Sequence, residues 1–484
     1  MHAINPMGPL VPFCVDLDGT LVCTDMLHES ALELFKTSPA SLFYFLPWLL
    51  RGKATLKYRI AERVELNVSC LPYRQEVLSL IDEARAQGRM VVLTTASAPQ
   101  IAMAVANHLG VFDRVISSDE QTNLCAEFKS AELVKHYGEG AFDYIGNSYD
   151  DLPVWARARR VLVVSNDRRL LKSAAAGGQL VEHIANRSGQ LQSWLHCIRP
   201  HQWLKNLLVF VPLVAGHKST EASLLMSSIL AFFAFSFAAS FGYLVNDLLD
   251  LNADRQHARK CKRPFAAGDL PISRGVLFAL LLVLASAAFS VMLPPLFIAV
   301  IGIYLVLTLS YSLRLKKQVV VDVVLLAGLY TLRIIAGATA VEIVPSFWLL
   351  AFSMFIFLSL AIVKRYSELR LNVNENSVLA GRGYMAADLP ALMALGAGSG
   401  LMSVMVIALY IDSSIVTATY SEPLWLWMIP PTLLYWVTRL WLKTNRGEVH
   451  DDPVIFAARD KQSLSIAALI GCSFIAAQSG IRFW

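Results

Sequence analysis

From Trp203 onward the chain is a succession of long apolar segments broken by short basic connections, which constrains its fold more than any other feature. A segment of roughly 18 or more apolar residues is long enough to cross a bilayer as a helix, and in lipid the backbone must satisfy its own hydrogen bonds. Segments near 224–245, 274–292, 295–312, 320–341, 346–363, 390–411, 423–442 and 462–481 qualify, and a shorter one at 204–217 makes a ninth. An all-α membrane domain of nine transmembrane helices is therefore expected over residues 191–484. Residues 1–190 mix charged and apolar positions in the ordinary way and are expected to form a separate soluble domain. At 55% hydrophobic and 16% charged, the chain as a whole is too apolar to be soluble throughout.

The connections fall into two sets. "NDLLDLNADRQHARKCKRP", "YSLRLKKQ", "KRYSELR" and "RLWLKTNRGEVHDD" are basic, whereas "VMLPP", "VEIVPS" and "YIDSSIVTATYSEP" hold almost no Lys or Arg. By the positive-inside rule the basic side is cytoplasmic, which predicts a multi-pass protein of the cytoplasmic (inner) membrane with its C-terminus on the opposite side. The N-terminus lacks a basic start, an apolar core and a small-residue cleavage site, so the first domain is expected in the cytoplasm. Seven scattered cysteines without a CxxC pair imply neither a disulfide framework nor a zinc site. A net charge of +5, gathered beside apolar segments, gives no stripe for nucleic acid. Membrane lipids are the expected surroundings, and a homo-oligomer is left open.

Asp247, Asp250 and Asp254 stand at i, i+3 and i+7 behind the apolar run 224–245, with Asn246 beside them. On one helix they fall within roughly 60° of each other. Such a carboxylate stripe is either a solvated helix end or a site for a hard divalent cation such as Mg2+, which takes oxygen ligands and bridges to phosphates. The basic cluster just behind, Arg255, Arg259, Lys260, Lys262 and Arg263, favours the second reading and a diphosphate-bearing substrate.

The stretch from Asn246 to Pro264 resembles the NDxxDxxxDxxxxxxxRP signature of UbiA-type membrane prenyltransferases, and the likeness covers about residues 197–484. It implies a nine-helix, Mg2+-dependent enzyme. Members that prenylate aromatic rings carry a second DxxxD cluster; here Asp322 is followed four residues on by Leu326. Arg333, eleven residues after Asp322 and about 16 Å along a helix, is expensive in an apolar span unless paired or bound to an anion. "RPHQWLKNLLVFVPL", "LRIIAGA", "KRYSEL" and "DDPVIFAARDKQS" resemble the decaprenyl-phosphate phosphoribosyltransferase branch. That branch joins polyprenyl phosphate to phosphoribosyl pyrophosphate (PRPP). The resemblance implies Asp247, Asp250 and Asp254, supported by Asn246, for Mg2+ and pyrophosphate. It implies Lys205, Lys262, Arg263, Lys364 and Arg365 for phosphate groups, Asp322 for ribose or metal, and Arg333 for an anionic group. Prenyl transfer to an aromatic acceptor is the alternative.

In the first domain, "VPFCVDLDGTLVCTD", "MVVLTTAS", a lone lysine in "EFKSAEL" and "FDYIGNSYDDLPVW" follow one another on a βα-alternating pattern. Over about residues 11–170 this order resembles the haloacid dehalogenase (HAD) phosphatases, implying an α/β Rossmannoid domain with a helical cap over about 22–85. The resemblance makes Asp16 the nucleophile, Asp18 the acid and base, and Thr95 and Lys129 the phosphate holders. Asp16, Asp18, Asn147 and Asp151 become the metal set. Asn147 replaces an acidic residue common in the family, leaving a non-catalytic, regulatory domain as the alternative. The cap stretch "SLFYFLPWLLRGKATLKYR" reads either as cap core or as a membrane-facing patch. The fusion suggests transfer from PRPP followed by removal of the 5-phosphate.

Overall fold

A computed structural model describes residues 10–177, 180–185, 191–371, 383–449 and 452–479. The chain divides into two compact units, Met1–Cys197 with Asp247–Phe278, and Ile198–Asn246 with Ala279–Trp484.

The first unit is built on six parallel strands, β1 (Phe13–Asp16), β2 (Val91–Thr95), β3 (Arg114–Ser117), β4 (Asp143–Gly146), β5 (Arg160–Val164) and β6 (Leu180–Ile184), in the order β3-β2-β1-β4-β5-β6. Helices α1 (Met26–Thr37), α2 (Leu42–Leu50) and α3 (Lys53–Ala61) follow β1, and α4 (Gln75–Ala86) leads into β2. Further on come α5 (Pro99–Leu109), α6 (Ala126–Tyr137), α7 (Leu152–Trp155), α8 (Arg168–Gly177) and α9 (Leu191–Ile198). Strands β1 and β2 read FCVD and VVLTT, buried at every position, as expected of a parallel sheet covered on both faces. The connections to the two neighbours of β1 run to opposite sides of it, and crevices for ligands open at the carboxyl ends of strands at such a switch point. Leu34, Trp48, Leu56 and Ile60 give the inserted helices a small core of their own. In α4, Val77, Ile81 and Ala84 pack instead into the core of the sheet, so the helices with an independent core end with α3, short of residue 85.

The second unit is helical. After an eleven-residue 3-10 stretch, Pro200–Phe210, come α10 (Val211–Ala215) and α11 (Ala222–Leu249); α12 (Leu251–Gln256) belongs to the first unit. Then follow α13 (Ile272–Ser290), α14 (Pro295–Leu313), α15 (Val321–Ala340), α16 (Phe347–Leu371), α17 (Leu389–Ile411), α18 (Ser414–Thr419), α19 (Ile429–Arg446), α20 (Pro453–Arg459) and α21 (Lys461–Gln478). Among the described residues six helices are long and apolar enough to cross a membrane: α11, α13, α14, α15, α16 and α17. This corrects the expected nine. The run at 204–217 is split between a 3-10 stretch and a five-residue helix. In α19, Arg439, Lys443 and Arg446 break the apolar surface, and α21 opens on Lys461 and Gln462 and closes on Gln478. The 3-10 stretch nevertheless lies hard against α15: a Cβ at Gly337 would come 1.9 Å from the Val209 carbonyl oxygen.

Residues 247–278 complete the first unit. The Arg255 guanidinium donates to Glu29 of α1 at 2.5 and 3.2 Å and to the Ala266 carbonyl at 3.1 Å. Asn252 reaches Glu33 at 3.4 Å, and the Gln256 amide donates to the Cys70 thiol sulfur at 3.2 Å.

Candidate active sites

Asp16 ends β1 at the switch point, 4% exposed. The Lys129 ammonium donates to its Oδ1 at 2.8 Å and the Thr20 hydroxyl to its Oδ2 at 3.0 Å. Burial pushes the Asp16 carboxyl up to about 7, with Lys129 working against the rise. Burial likewise raises Asp18, helped by Asp25. Asp18 accepts from the Met26 amide at 2.7 Å, Ser97 at 2.7 Å and Thr95 at 3.2 Å. Thr95 thus joins the site through Asp18. Burial disfavours the charge on Lys129, but Asp16 and Asp151 outweigh it and hold its pKa above the ordinary lysine value. A carboxylate beside a fixed ammonium, followed two residues on by a carboxyl that readily keeps its proton, suits attack on phosphorus with protonation of the leaving oxygen.

The expected metal set changes. Asp151 is buried and already accepts from the amides of Asn147 and Ser148 at 3.0 and 3.1 Å, from the Ser148 and Tyr144 hydroxyls at 3.2 and 2.8 Å, and from Lys129 at 3.4 Å. It pins the loop after β4 and has little left to offer an ion. The Asn147 side chain lies over Gly19. A φ of +75° there calls for glycine, and a Cβ would come 2.0 Å from the Asn147 amide nitrogen and displace that side chain. Asp18, expected in the same set, is engaged by Met26, Ser97 and Thr95, which leaves Asp16 and Asn147 as the side-chain oxygen donors. That thin set suits Mg2+, which keeps several waters and leans on one or two carboxylates plus substrate phosphate. Sequence reasoning missed Ser97, Tyr144 and Lys57. Lys57 comes from α3 and donates to the Ala96 carbonyl at 2.8 Å in the loop after β2; its place in a basic stretch was the only signal.

The three aspartates of the second motif do not share one helix. Helix α11 ends at Leu249, Asp250 takes the N-cap position of α12, and Asp254 follows in its first turn. Among the described residues no three acidic, imidazole or thiol side chains converge as a metal site. Instead one Arg263 nitrogen bridges two of them, at 2.9 Å to Asp247 and 2.6 Å to Asp254. Burial raises the Asp254 carboxyl, and Arg263 opposes the rise. A cation between two buried carboxylates is what a hard ion would supply, so the pair fits Mg2+ with the guanidinium in its stead. Asp250 is half-buried and Lys262 exposed, while Asn246 accepts from Lys316 at 3.5 Å.

In the second unit Lys205 is 5% exposed and bonds Asp452 at 2.5 Å, and Lys364 stands 3.7 Å from the same carboxylate. The Tyr330 hydroxyl donates to Asp452 at 3.3 Å. Arg333, also buried, donates to Asn206 at 2.9 Å and lies over the rings of Tyr330, Tyr304 and Phe235. Burial opposes charge on Asp452, but Lys205 and Lys364 outweigh it and hold the carboxyl at about 2. Two cations, Lys205 and Lys364, thus flank one carboxylate that sequence reasoning had not singled out, and Arg333 lies over Tyr330, whose hydroxyl donates to the same carboxylate. Asp322 and Arg365 belong elsewhere: both are fully buried, 2.7 Å apart, with the Tyr384 hydroxyl at 2.6 Å from Asp322 and Glu368 also on Arg365. Expected to meet ribose, metal or phosphate, they are enclosed in an ion pair, because neither could otherwise stay charged in so apolar a place.

Residues 207–458 match the UbiA prenyltransferase family and residues 13–155 the haloacid dehalogenase-like hydrolases. "Uncharacterized protein y4nM" of Sinorhizobium fredii is 36% identical over 96% of this chain and 91% of its own. Nodulation protein NoeC of Azorhizobium caulinodans is 33% identical over 56% of this chain and 89% of its own. Decaprenyl-phosphate phosphoribosyltransferase of Mycobacterium tuberculosis is 41% identical over 178 residues, 36% of this chain and 59% of that enzyme.

Proposed function

Because the chain belongs to the UbiA prenyltransferase family and carries a haloacid dehalogenase-like domain ahead of it, we propose that it moves the 5-phosphoribosyl group of PRPP onto polyprenyl phosphate and then removes the 5-phosphate. The observation that carries the first step is the surplus of positive charge at Lys205 and Lys364 on the one carboxylate of Asp452, with buried Arg333 over the neighbouring Tyr330 ring. Cations inside an apolar unit call for an anion, and both substrates bring phosphate groups. Similarity to the mycobacterial phosphoribosyltransferase supports the choice of donor.

A lipid phosphate oxygen attacks the anomeric carbon of PRPP, the bond to pyrophosphate breaks, and pyrophosphate leaves. The nucleophile is already anionic and needs no general base, so positioning and charge neutralisation by the protein's cations carry the step. Mg2+, held by Asp247 and Asp254 with Asn246 and Asp250 beside them, would neutralise the pyrophosphate. In the second step Asp16 attacks the 5-phosphate, Asp18 protonates the departing ribose oxygen, and Asp18 then takes a proton from the water that frees Asp16 and releases phosphate. Asp16 and Asn147 are the side chains for Mg2+ there. The six helices among the described residues that are long and apolar enough to cross a membrane end alternately at basic and base-poor connections, which supports a cytoplasmic location for the motif loop.

The test is to incubate the purified full chain with Mg2+, polyprenyl phosphate and PRPP and to identify the lipids by mass spectrometry. Ribosylated lipid without the 5-phosphate is the expected product. The phosphorylated form alone would leave only the transfer step standing. Prenylation of an added aromatic acid, with no ribosylated lipid, would replace the whole reading.

A further inference from the structure

Helix α2 of the cap is Leu42–Leu50, sequence LFYFLPWLL, and it has no charged residue on any face. Trp48 alone among its described side chains is buried, held under the Arg63 guanidinium 4.7 Å from its ring, with Phe45 packed partly beside it. The rest face outward: Phe43 is 84% exposed, Leu50 79%, Leu46 64%, Tyr44 59% and Leu49 48%. A contiguous apolar surface of this kind is not left to water in a folded domain. At about 14 Å the helix is too short to span a bilayer.

We propose that α2 is an interfacial anchor and that its partner is the surface of a bilayer bearing anionic lipid. Two observations choose this partner. Among the described residues six helices are long and apolar enough to cross a membrane, so a bilayer is always within reach of the tethered domain. The helix also runs directly into Arg51 and Lys53, both exposed, and an apolar body with Tyr at one end and Arg and Lys at the other matches acyl chains below and headgroups above.

The anchor has a use for the phosphatase reading. Arg51, Lys53 and Thr55 line a cleft of about 610 Å³ with Glu120 and Asn123, and Lys57 on the next turn reaches the loop after β2. Seating α2 in the interface brings Arg51 and Lys53, the basic edge of this cleft, to the level of lipid phosphates. That use rests on the phosphatase reading; the anchoring does not.

The test uses the full chain, its seven cysteines replaced, in vesicles of phosphatidylcholine with or without phosphatidylglycerol. Single spin labels at Phe43→Cys and Leu50→Cys are compared with controls at Phe128→Cys and Met103→Cys, sites 65% and 47% exposed. The expected result is an oxygen-to-nickel-chelate accessibility ratio several-fold above the controls, rising further with the anionic lipid. Labels as open to the nickel chelate as the controls would overturn the anchor. So would labels closed to both reagents with spin–spin broadening, which would mean a second copy of the chain. A parallel assay separates this failure from that of the phosphatase. Phe43→Asp with Leu50→Asp should cut hydrolysis of vesicle-borne ribosyl phosphate at least tenfold and leave p-nitrophenyl phosphate hydrolysis unchanged. No hydrolysis of either by the unaltered chain would remove the phosphatase reading, while the spin labels would still decide the anchor.

Discussion

Glu29 and Arg255, 226 residues apart in the chain, meet as a two-pronged ion pair in which each side chain is 4% exposed. A carboxylate and a guanidinium this far from water depend on each other, and removing one strands the other. Glu29→Ala should therefore cost about 3–5 kcal/mol of stability. Replacing both, as Glu29→Leu with Arg255→Met, should recover most of that loss. Thermal unfolding in detergent checks both outcomes.

Asp16→Asn should lower phosphate release by about 10³-fold or more, as loss of a covalent nucleophile does. The lipid product should then keep its 5-phosphate, seen by mass spectrometry, at an unchanged rate of pyrophosphate release. Equal loss of both activities would contradict separate sites.

Asp452 gives the second unit an acid limb. Its folded pKa of about 2 lies below the unfolded carboxylate value, so its contribution is complete above the unfolded value and is lost as pH falls through the folded one. A shift of this size is worth roughly 2–3 kcal/mol. Unfolding midpoints should drop between about pH 4 and pH 2 in the natural chain, and Asp452→Asn should flatten that drop. Asp452→Asn should also weaken phosphoribosyl transfer by altering the charge around Lys205 and Lys364.

Arg263 bridges Asp247 and Asp254, so Arg263→Gln leaves two buried carboxylates facing each other. Without metal this variant should melt several degrees lower, a shift on the order of 1 kcal/mol or more. Mg2+ should restore more of the midpoint in the variant than it adds to the natural chain. An identical Mg2+ response in both would remove these aspartates from the metal site.

Gly337→Ala should destabilise the helical unit by about 3 kcal/mol, since the new methyl meets the Val209 backbone rather than a side chain that could turn away.

The parts of this structure that were readable beforehand are those where chemistry dictates spacing. Asp16 and Asp18 stand two residues apart at the end of the first strand, a spacing legible in the sequence, and Lys129, which follows in strand order, reaches Asp16. What depends on distant helices was not readable. Asp322 and Arg365 looked like ligand contacts because nothing local shows that two different helices press them together. Asp452 gains its meaning only from Lys205 and Lys364. The aspartate stripe assumed a continuous helix, but the backbone turns at Asp250, whose φ of −99° and ψ of 14° leave the helical path. Hydropathy alone counted α19 as a span; its Arg439, paired with Asp460 at 2.6 and 2.9 Å, belongs to a helix with a polar face.

Val22, bridged to Tyr73, marks the neck on which the inserted helices α1 to α3 are carried. A lobe on such a neck is a door on one hinge, held along one edge by Lys57 on the Ala96 carbonyl and Arg59 on Glu120. Here Glu29 and Arg255 add a latch on the far edge, and the latch plate is the segment that also holds Asp254 and Arg263. The door cannot open on its own: either the plate travels with it or a water-starved ion pair must break. The position of the inserted helices and the posture of the aspartate segment are in this way geared to one another, without a ligand having to pass between them.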